Sequence, residues 1–308
     1  MISKKRIIAL GYFDGVHLGH AALIKRVLEI GEKTGLIPSV ITFDTHPQSF
    51  IENKDIPLIN SPQDRSDLIR RVFGINDIIF LHFDKSTVTM PWNKFIDHLV
   101  NEFGAQHLVA GKDFKFGSGG KGNSKLLEEK CLERGIGCDI IPGVFYDNIL
   151  ISSTYIRELL LAGDIERANT FLGHPHVLTD IVRYGYKLGR TLGTPTINMR
   201  FPAGVLIPAN GVYATKVYLE DGLIKTGVTN IGTRPTVDDS GCITAETHIL
   251  DFQRNLYGRQ VRVEFYKRLR PEIEFGSIDE LKTQIHRDCD MAAAFFTGKG
   301  IENELPLC

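Results

Sequence analysis

The spacing of apolar and polar positions changes halfway along the chain. In the first half, short apolar runs typical of buried strands alternate with segments whose apolar residues recur every three or four positions. This alternation predicts parallel strands joined by crossover helices, that is, an open α/β sheet. The predicted strands cover residues 6–10, 38–43, 77–81, 107–110 and 138–141. The predicted helices cover residues 18–34, 62–73, 91–103 and 124–134.

The second half has a different pattern. Residues 152–162 and 164–172 predict two short linking helices, the first opened by hydroxyl caps and ended by Gly163. Strand-like stretches then follow one another without intervening helices, which predicts an antiparallel sheet or barrel. They cover residues 211–220, 223–230, 243–250 and 260–269, and a helix over residues 277–296 follows them. We therefore predict one domain over residues 1–176 and a second over residues 177–308.

Composition narrows the class of protein. The 308 residues suit two domains, and 43% hydrophobic with 24% charged residues is ordinary for a globular protein. A formal net charge of −1 lacks the basic excess that nucleic-acid binding usually requires, so no nucleic-acid partner is expected. The five cysteines have no C-x-x-C spacing, which predicts reduced thiols rather than disulfides or a zinc site. No apolar run reaches the length of a membrane span or signal peptide, so we expect a cytoplasmic protein without a membrane partner.

A turn rich in glycine and histidine follows the first predicted strand. It reads Gly11-Tyr12-Phe13-Asp14-Gly15-Val16-His17-Leu18-Gly19-His20 and opens the first predicted helix. The carboxyl end of a parallel strand beside a helix N-terminus is where such sheets bind phosphates. His17 and His20 can donate hydrogen bonds to phosphate oxygens, and the absent side chain of Gly19 lets a nucleotide approach the backbone. The alternative is that both histidines only cap the helix.

Two later segments suit the same ligand. The loop over residues 110–122 carries glycines and lysines that could fold over a triphosphate, although such a loop can also be merely flexible. At the start of the first linking helix, Arg157 lies on the face of Ser153 and Thr154, so that these donors could close on phosphates. Helix capping is the alternative role of the hydroxyls.

The second half contains no G-x-x-x-x-G-K-[ST] motif, so any phosphate there would have to be bound by a different arrangement of residues. Residues 185–198 supply glycines, the basic Lys187 and Arg190, and two oxygen donors. Because Thr196 and Asn198 point to one side of an extended segment, they could bind one Mg²⁺. The alternative is a turn followed by an edge strand.

These motifs resemble those of the prokaryotic bifunctional riboflavin kinase/FAD synthetases over essentially the whole chain. G-Y-F-D-G-V-H-L-G-H, T-F-D-T-H-P, G-K-D-F-K-F-G and I-S-S-T-Y-I-R are similar to the adenylyltransferase module. G-T-P-T-I-N, G-V-T-N-I-G-T-R-P-T and E-T-H-I-L-D-F are similar to the kinase module. The resemblance implies an N-terminal Rossmann-like nucleotidyltransferase domain with a parallel sheet, which joins FMN and ATP into FAD and pyrophosphate. It also implies a C-terminal six-stranded antiparallel β-barrel with a terminal helix, which phosphorylates riboflavin with ATP.

The resemblance also implies roles for individual residues. Catalytic roles fall to His17, His20, Arg157 and Glu246, of which Glu246 would accept the proton of the riboflavin 5′-hydroxyl, although a lone strand glutamate is often only solvated. Arg270 is expected to contact the flavin, with a plain surface arginine as the alternative. Thr196 and Asn198 would hold Mg²⁺, and no zinc is expected. The implied nucleotide-binding residues are Gly11, Phe13, Gly15, Gly19, Gly111, Asp113, Ser152, Ser153, Thr154, Gly185, Gly189, Arg190 and Pro195.

Departures from the family pattern leave two rival functions open. The departures are Thr45 and Asn123 in the first half, and Tyr184 and Thr194 in the kinase half, beside Gly185 and Pro195. One rival is an FAD synthetase whose kinase module is weak or inactive. The other is a regulator that binds flavin without turnover. The retention of both histidines and of Glu246 argues against this second rival, because binding alone would not require them. An aminoacyl-tRNA synthetase is disfavoured, because K-M-S-K-S is absent from the sequence.

Overall fold

The computed structural model describes residues 4–45, 56–82, 84–185, 193–233 and 243–299. The chain divides into two compact units. The first comprises residues 1–58 and 65–153, and the second comprises residues 59–64 and 154–308. The predicted functional boundary after residue 176 stays a prediction.

The first unit is built on a five-stranded parallel sheet, which confirms the predicted α/β class. Its strands are β1 Arg6–Leu10, β2 Ile37–Phe43, β3 Asp77–Leu81, β4 Ala105–Gly111 and β5 Gly137–Ile141. Their order in the sheet is β3-β2-β1-β4-β5. The strand order reverses between β1 and β4, and this switch point is where α/β sheets leave a crevice for ligands.

Helices cover the sheet, and all of them except the five-residue helix Lys85–Thr89 lie where the spacing of apolar residues predicts them. They are α1 Leu18–Thr34, α2 Pro62–Phe73, α3 Lys85–Thr89, α4 Trp92–Asn101 and α5 Ser124–Glu133. A core forms where Phe95, Ile96 and Leu99 of α4 pack with buried residues of β1 and β4. Asn123, one of the departures from the family pattern, caps α5 by accepting a hydrogen bond from the Leu126 amide at 3.0 Å.

A small hairpin that the sequence did not predict follows β5. Its strands are β6 Phe145–Tyr146 and β7 Ile149–Leu150, which pair antiparallel. Asp147 and Asn148 connect them with positive φ angles of 46° and 61°. Two consecutive residues in this region are typical of the tight turns that favour Asn and Asp.

The second unit contains two helices followed by a six-stranded antiparallel sheet. The helices are α6 Ser153–Ala162, of which the second unit takes residues 154 onward, and α7 Ile165–Leu172. The strands are β8 His176–Ile181, β9 Thr196–Arg200, β10 Gly211–Leu219, β11 Ile224–Thr233, β12 Ile243–Ile249 and β13 Gln260–Arg270, in the order β8-β13-β10-β11-β12-β9. The sheet curls into a half-barrel, and a backbone bridge between Arg183 and Asn198 links its two edges. The six strands and the terminal helix, α8 Ile278–Lys299, confirm the predicted fold.

The two faces of this sheet pack differently. Inside the curl, the hydroxyl of Thr229 lies 2.9 Å from that of Thr215 and 2.8 Å from that of Thr247, so three strands share one buried chain of hydrogen bonds. Outside, Ala292 and Phe296 of α8 pack on apolar residues of β10 and β11. Glu246 and His248 are partly exposed, whereas Ala245 and Thr247 are fully buried. Buried and partly exposed side chains therefore alternate along β12 from Ala245 to Ile249.

Candidate active sites

The turn between β1 and α1 has an uncommon backbone conformation. Phe13 and Val16 have positive φ angles of 56° and 45°, and Gly15 has a φ of 82°. Left-handed conformations are costly for residues other than glycine and are concentrated at functional sites. Phe13 is also fully buried.

The two histidines of the turn are stacked on each other. Their ring centroids lie 3.6 Å apart with an interplanar angle of 18°. His17 is the N-cap of α1, and its Nδ1 accepts a hydrogen bond from the His20 amide at 3.3 Å. A Cβ atom at Gly19 would lie 3.0 Å from Cε1 and Nδ1 of the His17 ring. Glycine is therefore needed at position 19 to seat the imidazole.

His20 lies in an environment that disfavours its protonated form. Its ring is 4.9 Å from that of Phe13, and its Nδ1 has no hydrogen-bond partner among the described residues. Burial holds the pKa of His20 well below 6.5, and the positive charges of His17 and Arg65 lower this pKa further. At neutral pH His20 is therefore a neutral imidazole with one N–H to donate.

A cavity of about 690 Å³ opens at the carboxyl ends of the central strands, beside the stacked histidines. It brings together predicted site residues that lie far apart in the sequence. The predicted residues that line it are Gly11, His17, Gly19, His20, Gly111, Asp113, Ser152 and Ser153. Lys112 and Lys115 also line it, and their place in the glycine-lysine loop was the signal that could have identified them. The cavity therefore presents cations and N–H donors, which suit a polyphosphate.

Direct contacts position the remaining parts of this cavity. The Ser153 hydroxyl donates to the Asp14 carbonyl at 2.9 Å, which fixes the start of α6 to the histidine turn. A Cβ atom at Gly111 would lie 2.9 Å from Oδ1 of Asp113, so glycine allows this side chain to fold back over the strand end. Thr154 and Arg157 follow on α6 in the second unit, and their roles stay predictions.

In the second unit, three polar residues are neighbours in one row across the sheet. Glu246 of β12 pairs in register with Asn198 of β9 on one side and with Asn230 of β11 on the other. Cross-strand partners in register present their side chains on the same face of the sheet. Asn230 was missed from the sequence, because only the strand register brings it beside Glu246.

Two cavities of about 300 Å³ each lie on either side of Thr196. The first is lined by Gly185, Pro195, Thr196 and Asn198, together with the segment over residues 252–257. The second is lined by Thr196, Asn230, Glu246, Arg270 and residues of α8. Thr196 therefore borders both cavities, whereas Glu246 lines only the second.

Close contacts hold the segment of β9 that carries the Thr196 and Asn198 side-chain oxygens. A Cβ atom at Gly185 would overlap the side-chain amide of Asn198, so this amide depends on a glycine opposite it. Nδ1 of His248 donates to the Pro195 carbonyl at 2.9 Å, which anchors the start of β9 to β12. The predicted nucleotide-binding residues Gly189 and Arg190 lie outside the described residues, as does Lys187.

Arg270 lines the second cavity, but its guanidinium group is engaged by the protein. Its Nη2 and Nε donate to the buried Asp288 carboxylate at 2.8 and 3.0 Å, and its Nη1 donates to the Pro271 carbonyl at 3.0 Å. Gln284 donates to the same carboxylate at 2.8 Å. In this structure Arg270 therefore fixes α8 against β13 and forms a wall of the cavity, and its contact with flavin stays a prediction.

Metal-ligating clusters and membrane-spanning helices are both absent from the described residues. No group of three or more His, Cys, Asp or Glu side chains arranged to hold a metal ion occurs in that part of the chain. No helix there is both long and apolar enough to cross a membrane.

Comparison with known proteins assigns each half of the chain to a family. The family model for FAD synthetase matches residues 1–155, and the model for riboflavin kinase matches residues 172–296. Proteins named bifunctional riboflavin kinase/FMN adenylyltransferase are similar along almost the whole chain. The one from Bacillus subtilis is 36% identical, over 95% of this chain and 93% of its own length. The one from Escherichia coli K12 is 35% identical, over 94% of this chain and 92% of its own length.

A solved structure shares the fold over the same extent. The crystal structure of a protein named macrolide-efflux protein, from Streptococcus pneumoniae, superimposes with a TM-score of 0.83 at 28% identity and covers 95% of both chains. Its name describes that protein and is not carried over to this one. On the family models and the similar bacterial proteins, this chain belongs to the bifunctional riboflavin kinase/FMN adenylyltransferase family.

Proposed function

We propose that this chain catalyses two consecutive steps of flavin cofactor biosynthesis. The first is phosphorylation of riboflavin by ATP to give FMN, and the second is adenylylation of FMN to give FAD and pyrophosphate. The observation that carries the proposal is that each unit has its own cavity system lined by the groups its reaction requires. The names of the relatives support the same pair of activities.

The adenylyl transfer is assigned to the first unit. A phosphate oxygen of FMN would attack the α-phosphorus of ATP in line, and the bond from that phosphorus to the pyrophosphate oxygen would break. The attacking phosphate is already an anion, so the protein needs to orient anions and offset charge rather than remove a proton. The N–H groups of His17 and His20 suit this task, and so do Lys112 and Lys115 in the same cavity.

The kinase step is assigned to the second unit. Riboflavin would occupy the cavity that contains Glu246, and ATP would occupy the one that contains Gly185 and Pro195. The Glu246 carboxylate would accept the proton of the 5′-hydroxyl as its oxygen attacks the γ-phosphorus, and ADP would leave. The amides of Asn198 and Asn230, on either side of Glu246, could orient the hydroxyl and the transferred phosphate.

Magnesium is the metal we expect with ATP in the kinase site. Thr196 and Asn198 lie two residues apart on β9, border the proposed nucleotide cavity, and offer the neutral oxygen ligands that Mg²⁺ accepts when phosphates supply the charge. When bound, the ion would neutralise phosphate charge. Retaining these oxygens beside the cavity is the role we assign to Gly185 and His248.

A time course with riboflavin and Mg-ATP tests the proposal. Chromatography of the flavins should show FMN first and FAD after a lag, with one ADP per FMN and one pyrophosphate per FAD. Both activities should survive a zinc-selective chelator that leaves Mg²⁺ free. FAD formed only from added FMN would favour a chain with an inactive kinase. If neither product formed, the proposed function would be refuted.

A further inference from the structure

A buried arginine lies behind the histidine turn. Arg65, on α2, is fully buried, and its Nη1 donates to the Thr42 hydroxyl at 3.0 Å and to the Phe43 carbonyl at 2.8 Å. Its Nε and Nη2 have no hydrogen-bond partner among the described residues. Nη2 lies 3.9 Å from Oδ1 of the buried Asp14, which is too long for a hydrogen bond. A buried guanidinium with unused donors is expensive for stability, which suggests that its charge serves another purpose.

Arg65 also braces two walls of the adenylyl-transfer cavity. The Thr42 hydroxyl that accepts from Arg65 donates in turn to the Tyr12 carbonyl at 2.6 Å. The guanidinium carbon lies 4.6 Å from the centroid of the Tyr12 ring, a cation–π distance. Both Tyr12 and Phe43 line the cavity, and Arg65 supports them without lining the cavity itself. Removing Arg65 would therefore loosen the turn that carries the histidines.

The charge of Arg65 acts on the same histidines. The charged and titratable groups around His20 are His17 in its own turn, Arg65 from α2, Asp14 beneath the turn, and Lys112, Asp113 and Lys115 across the cavity. After burial, the positive charges of His17 and Arg65 are the causes that lower the pKa of His20. Because Arg65 is an arginine, its charge persists at every pH at which the enzyme could work.

We propose that Arg65 is a positioning residue for adenylyl transfer: it braces Tyr12 and Phe43 and supplies a fixed positive charge behind the His17–His20 pair. The inference rests on the function proposed for the first unit. The fixed charge adds to the effects of burial and of His17 in lowering the pKa of His20, and it adds to the attraction for the polyphosphate that enters. In a site sheltered from water such an electrostatic contribution is larger than on the surface.

Two substitutions distinguish the support that Arg65 gives to Tyr12 and Phe43 from the effect of its positive charge. Arg65→Met removes both, so FAD formation from FMN should fall by about 10–100-fold, because a misplacement of reacting groups by about 1 Å can cost about 10²-fold in rate. Arg65→Lys retains the charge but loses the forked contacts, so the rate should fall while the pKa of His20 stays near its parental value. The control is Arg70→Met, at an exposed arginine of α2 that pairs with Asp67. Riboflavin phosphorylation by the second unit should be unchanged in all three variants.

The pKa of His20 provides a readout that a merely structural role would not move. In the full-length protein labelled with [¹³Cε1]histidine, the His20 signal is identified by its loss in His20→Gln and followed from about pH 3.5 to pH 8. We expect the pKa to rise in Arg65→Met and to stay in place in Arg65→Lys and Arg70→Met. If Arg65→Met does not fold, Thr42→Val replaces it, and this variant should lower FAD formation without moving the pKa of His20.

Two results would overturn the proposal. One is a rate of FAD formation in Arg65→Met, or in Thr42→Val if it is used, within twofold of the Arg70→Met control. The other is a His20 pKa in Arg65→Met equal to the parental value, or, if that variant does not fold, a pKa in Arg65→Lys well above it. A parental protein that formed no FAD would instead refute the function proposed for the first unit, so the two failures are distinguishable.

Discussion

The position of the His17 imidazole depends on the absence of a side chain at Gly19. From the sequence, Gly19 was expected to let a nucleotide approach the backbone. In the structure the His17 ring occupies the space above Gly19, at 3.0 Å from where a Cβ would be. The glycine thus sets the stacked geometry of both histidines, in which the nearby charge of His17 adds to burial in lowering the pKa of His20.

His176 is a second histidine whose environment opposes protonation. It is fully buried on β8, its ring lies 5.8 Å from that of Phe265, and neither ring nitrogen has a hydrogen-bond partner among the described residues. Burial, with a smaller effect of His174, lowers the pKa of His176 to about 3 from 6.5. The folded state therefore binds fewer protons than the unfolded state between these values, so folding stability falls as pH falls below about 6.5.

We predict that His176→Phe gains stability over the parent in acid. Phenylalanine keeps the apolar contact with Phe265 and removes the proton-binding nitrogen, so by pH 5 the relative gain should reach roughly 2 kcal/mol compared with pH 7.5. The measurement is the urea concentration that halves kinase activity after equilibration at each pH. The matched control is His286→Phe, at an exposed position of α8. If the parent and His176→Phe lost stability equally between pH 7.5 and 5, the assigned titration would be wrong.

Among the helices and strands, those marked by a clear local sequence pattern could be predicted, and those without one could not. The bounds of α1 and α2 agree with prediction because strong periodicity lies between clear start and stop residues, such as Gly35, which ends α1 with a φ of 70°. The two-residue strands β6 and β7 were missed, since so short a stretch has no measurable period. The row of Asn198, Glu246 and Asn230 could not be foreseen, because it depends on the register of three strands.

The approach of the segment around Gly185 to β9 leads to a prediction for the kinase site. Because a Cβ at position 185 would overlap the Asn198 amide, Gly185→Ala should displace one proposed Mg²⁺ ligand. We expect kcat/KM for ATP in riboflavin phosphorylation to fall by about 10–100-fold, with FAD formation from added FMN unchanged. Steady-state kinetics at several Mg²⁺ concentrations measures this effect.

A glycine elsewhere in the same unit serves as the control for that experiment. A Cβ atom at Gly298, on α8, would point into open space, with no packed atom of the described residues within 4 Å. Gly298→Ala should therefore leave both activities intact. If Gly185→Ala phosphorylated riboflavin as well as Gly298→Ala does, the close approach would not support the metal site.

At the scale of the whole molecule, each unit is assigned one reaction. The first unit has the stacked histidines and a cavity with two lysines. The second has two cavities that share Thr196, and Glu246 lines one of them. If the assignment is right, damage to one cavity leaves the other reaction intact, and FMN released by one molecule can be used by another.

The most direct test combines two variants, each damaged in one unit. Alone, His20→Ala should convert riboflavin to FMN but form FAD at least about 10²-fold more slowly than the parent, through loss of a hydrogen-bond donor to the phosphates. Alone, Glu246→Gln should adenylylate added FMN normally and phosphorylate riboflavin about 10²–10⁴-fold more slowly, through loss of the general base. Mixed with riboflavin and Mg-ATP, the two folded variants should together restore FAD formation. Loss of both activities in either variant, or a mixture that forms no FAD, would contradict the assignment of one reaction to each unit.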